Sequence, residues 1–208
     1  MEFLRDLLDV RSLIEWGGIP CITAIVFVET GLFFGFFLPG DSLLVTAGIL
    51  AAAGLFPIEL LLIFPTLAAI LGDQTGYLIG YRAGSALRQR YSRFNVQLDR
   101  AHTFYEKYGA KTIVFARFVP LVRTFVPAVA GAARMDYRTF VTYNIFGGVL
   151  WVFSTTLLGY SVGRAIPEID KYLHVVIAIV VFLSLLPALF EWRKHRRESQ
   201  AASRDIGL

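Results

Sequence analysis

The sequence predicts an all-α integral membrane protein. It would be an inverted repeat of two re-entrant helical hairpins with about three spanning helices and an N-terminal amphipathic helix. Three observations carry this. The 208 residues are 56% hydrophobic with a mean hydropathy of +0.60, too apolar for an ordinary soluble domain. Charged residues are only 17% of the chain and gather in loops, apart from a few set inside apolar runs. Two of those runs, 17–53 and 115–135, carry both prolines and charges, which a straight spanning helix does not hold without a reason.

In chain order, residues 1–16 alternate Phe3, Leu4, Leu7, Leu8, Leu13 and Ile14 with Glu2, Arg5, Asp6, Asp9 and Arg11. This is roughly helical periodicity, and the segment reads as an amphipathic helix on the membrane surface or docked on the bundle. A single membrane domain then covers 17–192. Its first repeat is 17–84, opening with a long apolar region that contains Glu29 and the turn signal Pro39-Gly40 before Asp41. Two spans with the turn in water, or a re-entrant hairpin with the turn near mid-membrane, both fit. Each half is short of the usual ~20 residues, which favours the hairpin. Leu60–Tyr81 is a better spanning candidate and contains Asp73.

Residues 85–111 form a basic loop, and the positive-inside rule puts it in the cytoplasm. The second repeat, 112–163, starts with Phe115–Met135, which carries Arg117 and Arg123 and which Pro120 and Pro127 are expected to break. We read it as a helix, a break and a second short helix returning to the side it came from. Phe140–Gly163 spans, a final span covers 172–190, and the basic tail 193–208 lands in the cytoplasm only if 115–135 re-enters. Arginine at the centre of a membrane helix costs about 2.5–3.5 kcal/mol on insertion scales, so both arginines need partners.

The halves are weakly self-similar. Ala47-Gly48 corresponds to Ala130-Gly131, and Gly80-Tyr81 with Gly84 to Gly159-Tyr160 with Gly163. The charges follow the repeat: acids in the first broken segment, bases in the second. Inverted repeats of this kind place a substrate site at the midplane, between broken helices.

Glu29, Pro39-Gly40-Asp41, Phe115, Arg117-Phe118, Pro120, Arg123, Pro127, Ala130-Gly131, Met135, Asn144, Gly147 and Trp151 together make a pattern. It resembles that of the DedA family of bacterial inner-membrane proteins, over nearly the whole chain outside the termini. The resemblance implies two facing re-entrant hairpins, roles in envelope integrity and resistance to cationic antimicrobial peptides, and dependence on the proton motive force. It also implies lipid movement, with undecaprenyl phosphate recycling as the leading expectation. Glu29, Asp41, Arg117 and Arg123 match the acidic and basic positions that the family needs for activity.

On chemistry, Arg117 and Arg123 suit a phosphate, because guanidinium offers planar paired donors and stays charged; equally, they could only neutralise acids. Glu29 is a candidate proton carrier or one end of a fixed salt bridge. Asp41 is an ion-coupling group or a helix N-cap, and Asp73 is a further ion-coupling candidate. Pro39, Gly40, Pro120, Pro127 and Gly131 shape the hairpins. Asn144 and Trp151 are expected to pack and hydrogen-bond.

The partners expected are therefore a membrane lipid phosphate and protons, with a homo-oligomer open. No nucleic-acid groove is apparent, because no basic stripe is interleaved with aromatics. Cys21 alone permits neither an intramolecular disulfide nor a multi-cysteine zinc site. No cleavable signal peptide is expected. His102, His174 and His195 are scattered, so neither a metal, a cofactor nor a phosphatase active site is expected. The alternatives to lipid-phosphate transport are a small-cation/proton antiporter and a non-transporting assembly factor.

Overall fold

The structure is a computed structural model and describes residues 10–32, 40–90 and 111–165. These form helices and their connections; no strand occurs among the described residues. The Pro39 turn, most of the basic loop, the 172–190 span and the tail lie outside the described residues, as do residues 1–9 of the expected amphipathic helix.

Helix α1, Val10–Gly31, is interrupted at Gly18, whose φ of 54° and ψ of −150° are not helical. Such a backbone suits a residue without Cβ. Pro20 follows in the first turn after the break, where its missing N–H is no loss. The kink falls within two residues of the 16/17 boundary that composition suggests.

Helix α2, Gly40–Ala52, has 13 residues, of which Gly40 and Ser42–Ala51 are all buried. Apolar on every side, it must be covered on every side. It meets Ile22 and Val26 of α1, Leu61 and Ala69 of helix α3, and Trp151 and Val152 of helix α6. Helix α3 is Ile58–Arg90 and helix α6 is Tyr137–Ala165. The expected spans Leu60–Tyr81 and Phe140–Gly163 fall inside them. The apolar lengths, Ile58–Gly84 and Tyr137–Ala165, are 27 and 29 residues. At 1.5 Å per residue these are about 40 Å, enough for a hydrocarbon core of about 30 Å. Only 39% and 33% of their most apolar windows are buried by protein. Phe146 and Leu158 are 62% and 61% exposed, a surface that suits lipid rather than water.

Between the spans lie helix α4, Lys111–Ala116, and helix α5, Pro120–Ala132. Val119 is extended (φ −110°, ψ 106°), as the residue before a proline prefers, and Pro120 opens α5. The expected break therefore sits at residues 117–119. Pro127 does not break anything: α5 runs through it. Its ring faces a residue without a side chain, since a Cβ built on Gly76 would lie 3.3 Å from Pro127 Cβ.

The halves exchange their short helices: α2 packs on α6, and α5 packs on α3. The two crossings match position for position. Gly48 lies against the Thr156 and Tyr160 backbone, and Gly131 against that of Tyr77 and Tyr81. Gly159 meets Val45 as Gly80 meets Ala128, and Gly163 meets Ile49 as Gly84 meets Ala132. A Cβ at Gly84 would lie 2.6 Å from Ala132 Cα, so these crossings are as close as backbones come. The weak sequence repeat is thus also a repeat of helix contacts.

Candidate functional site

Each short helix brings a charge to its crossing. Glu29 lies near the end of α1, Asp41 in the first turn of α2, Arg123 in the first turn of α5, and Trp151 on α6. Arg123 donates through Nη2 to Glu29 Oε1 and through Nη1 to Asp41 Oδ1, the latter at 2.8 Å. Trp151 Nε1 donates to the same Asp41 oxygen at 2.8 Å. The Arg123 guanidinium carbon also sits 4.7 Å from the Trp151 ring centroid, within cation–π range. Gly40 is required here by space: any Cβ would fall inside the Glu29 carboxylate. Glu29 is 2% exposed and Arg123 7%, whereas the Asp41 side chain is 26% exposed and forms the open edge of the cluster.

A second cluster surrounds Arg117, in the turn between α4 and α5. Its Nη2 donates to Asp73 Oδ2 on α3 and to Asn144 Oδ1 on α6. Asn144 in turn donates to the Ile70 carbonyl at 3.1 Å, which fixes its amide. Arg117 and Asp73 are each 3% exposed and Asn144 is fully buried. The Arg117 side chain lies along a slot made by Gly147 and Gly148, where added Cβ atoms would come within 3.1 Å of Cδ and 3.4 Å of Nη1. Asp73 is in electrostatic reach of Arg123 as well, so the clusters are neighbours.

All three acids come from the first half and both arginines from the second. Three carboxylates against two guanidiniums leave one formal negative charge when all are ionised. Low dielectric strengthens each attraction but also makes stripping either partner costly.

Several sequence readings are refined by this geometry. Asp41 lies inside the first turn of α2, not ahead of it as an N-cap, and its carboxylate is engaged by Arg123 and Trp151. Asp73 pairs with Arg117, a division of partners that sequence does not reveal. Pro120 stands at the start of α5 and Gly131 at its crossing with α3; Pro39 is outside the described residues. Asn144 and Trp151 do hydrogen-bond, but to the charged groups themselves, and Gly147 and Gly148 supply the slot for Arg117. The signal was the spacing of Asn144, Gly147, Gly148 and Trp151, which shares one face of a helix.

The model of the VTT domain matches residues 38–161. Protein DedA of Escherichia coli K12 is 42% identical over 188 residues, covering 86% of this chain and 84% of that protein. An uncharacterized membrane protein of Mycobacterium tuberculosis H37Rv is 47% identical over 197 residues, 89% of this chain and 86% of its own. Inner membrane protein YqjA of E. coli K12 is 33% identical over 169 residues, 80% of this chain and 76% of its own. No solved structure matches.

Proposed function

The chain belongs to the VTT-domain family of membrane proteins, the DedA family, and from that premise we propose that it carries the phosphate head group of a membrane lipid across the bacterial inner membrane. Undecaprenyl phosphate is the substrate, and the proton motive force drives its movement. The observation that carries this reading is Arg123: a guanidinium 7% exposed, gripped by two carboxylates from the other half of the chain, one of them at an open edge. Guanidinium donors that fit carboxylates fit phosphate oxygens equally well.

The arginine is already occupied, so an arriving phosphate has to displace Glu29, Asp41 or both. A carboxylate stripped of its counter-charge away from water is more stable as the neutral acid. Phosphate arrival therefore draws in protons, and departure releases them as the carboxylates reclaim Arg123. In this scheme Arg123 recognises, Glu29 and Asp41 exchange protons, and Arg117 with Asp73 holds the second charge pair. The helices α2 and α5 have 13 residues each, about 20 Å, too short to cross alone. We take them as the inner arms of two re-entrant hairpins, with the basic 85–111 loop and the C-terminal tail in the cytoplasm. No step needs bond cleavage, and the protein acts as a transporter, not an enzyme.

The test is a flip assay in proteoliposomes containing undecaprenyl phosphate, with an imposed pH gradient. Protein-dependent movement that accelerates with the gradient is expected. No movement above empty liposomes, with the protein shown to be folded, would refute it. The surplus carboxylate favours a second reading, small-cation/proton antiport. It would show as cation flux in liposomes free of lipid phosphates.

A further inference from the structure

Three elements meet at the end of the molecule where α3 runs on towards the basic 85–111 stretch: the close of α3, the close of α5 and the start of α6. Gly84 packs on Ala132, and the Tyr77 hydroxyl on α3 donates to the Met135 carbonyl at 2.6 Å. The Tyr77 and Tyr137 ring centroids are 5.5 Å apart.

Helix α5 ends here in a Schellman motif. The Arg134 N–H donates to the Gly131 carbonyl and the Met135 N–H to that of Ala130, each at 3.0 Å. Arg134 takes the left-handed position, with a φ of 57°. Glycine is the usual occupant, because a Cβ there crowds the backbone. Arginine brings this turn no benefit, so what it contributes is its side chain. That side chain crosses to α3 and places its guanidinium carbon 5.6 Å from the Tyr81 ring centroid. A ring face attracts the cation but offers its in-plane donors no oxygen.

Arg82 follows Tyr81, Arg138 follows Tyr137, and these four side chains and Arg134 are all exposed. Among the described residues no carboxylate is in salt-bridge contact with the three arginines. Asp136, the acid beside them, accepts from Thr139. Three guanidiniums against one carboxylate leave two formal positive charges. The patch stands on the rim of the lipid-facing surface. Leu78 is one turn before Arg82 and Ile145 two turns after Arg138, on the same helix faces, and both are exposed. At the opposite end of the molecule, the start of α3 and the close of α6 carry Glu59 and Arg164, one charge of each sign.

We propose that this patch docks the head group of an anionic phospholipid of the adjoining leaflet, with Arg134 as its central contact. Exposed guanidiniums beside interfacial tyrosines meet the phosphate layer of a leaflet, and their paired donors fit phosphate oxygens. The surplus charge selects an anionic head group over a zwitterionic one, whose own cation offsets its phosphate. The lipid held here is a resident of the leaflet, not cargo. Arg123 lies at the other end of α5, and this site requires only that the chain sit in a membrane, so it stands or falls apart from the transport reading.

The test reads the unfolding temperature of the full chain in two kinds of nanodisc, phosphatidylcholine alone and phosphatidylcholine with phosphatidylglycerol. Wild type should unfold several degrees higher where phosphatidylglycerol is present. Arg134→Gly removes the guanidinium but suits the left-handed backbone, so it folds; it should keep less than half of that rise. Arg164→Gln takes an arginine from the Tyr160 ring at the opposite end, where the separation is 5.7 Å, and should keep the whole rise. A full rise in Arg134→Gly, an equal loss in Arg164→Gln, or no rise in wild type overturns the proposal. Inorganic phosphate that reproduces the rise in phosphatidylcholine discs also overturns it, because the occupant would then be a free anion.

Discussion

Arg117 and Arg123 are six residues apart and both less than a tenth exposed, yet they are held in different ways. Arg117 meets one carboxylate and one amide, both on the long helices α3 and α6, and its chain is laid in a glycine slot. Arg123 meets two carboxylates, on α1 and in the first turn of α2, with a tryptophan ring beside it and one acid partly open. The first arrangement is balanced, closed and carried by the spans. The second has excess acid, an open edge and short helices. The difference teaches that two buried guanidiniums of one chain can be held by unlike surroundings; on the proposed lipid-phosphate reading the first stays paired and the second exchanges partners.

The strongest way to break that comparison is Arg117→Ala. It leaves Asp73 buried without its counter-charge and is expected to cost about 3–5 kcal/mol, read as a fall in thermal unfolding temperature in detergent. Adding Asp73→Asn should recover much of the loss. A next step is Arg123→Lys, which keeps charge but not the paired donors. Losing one charge-assisted hydrogen bond of about 1.5–3 kcal/mol predicts a roughly ten- to hundredfold drop in lipid-phosphate transport with the fold retained. Full activity in that variant would make Arg123 a mere counter-ion.

The repeat offers a matched pair. Gly48→Ala and Gly131→Ala each drive a methyl into facing backbone and should each cost about 1–3 kcal/mol in unfolding measurements. A loss in only one would show that the two crossings are not equivalent. Trp151→Phe keeps a ring over Arg123 but removes the donor to Asp41; about 1 kcal/mol is expected, with Arg117-dependent stability untouched.

The smallest effect lies outside both clusters. Asp136 precedes α6 and accepts from Thr139 N at 2.8 Å and from its hydroxyl at 2.9 Å. These bonds hold its carboxyl below the usual range. A depressed value contributes stability above the unfolded pKa of about 3.9, and that contribution is lost as pH falls through the folded value. The difference in unfolding temperature between wild type and Asp136→Ala should therefore be full at neutral pH and shrink below about pH 4.

Hydropathy made the spans legible, because α3 and α6 are long enough and apolar enough to show it without tertiary help. The cost of burying charge likewise told that Glu29, Asp41, Arg117 and Arg123 must meet something. Which acid faces which arginine was not legible, since that depends on how the short helices exchange partners between halves. Pro127 misled for a related reason. Proline costs a helix one hydrogen bond and a steric clash, but the ring here lies over Gly76 on a neighbouring helix, and no local pattern announces that. Asn144 and Trp151 read as packing and hydrogen-bonding residues, and their spacing puts them on one face of α6, but that spacing does not say that the face meets the charged groups.

The exchange of phosphate for carboxylate at Arg123 is tested most directly by calorimetry of farnesyl phosphate binding in nanodiscs, repeated in buffers of different ionisation enthalpy. Net proton uptake on binding that disappears in Arg123→Lys is the predicted result. Binding that moves no protons, or uptake that persists at full size in Arg123→Lys, would contradict it.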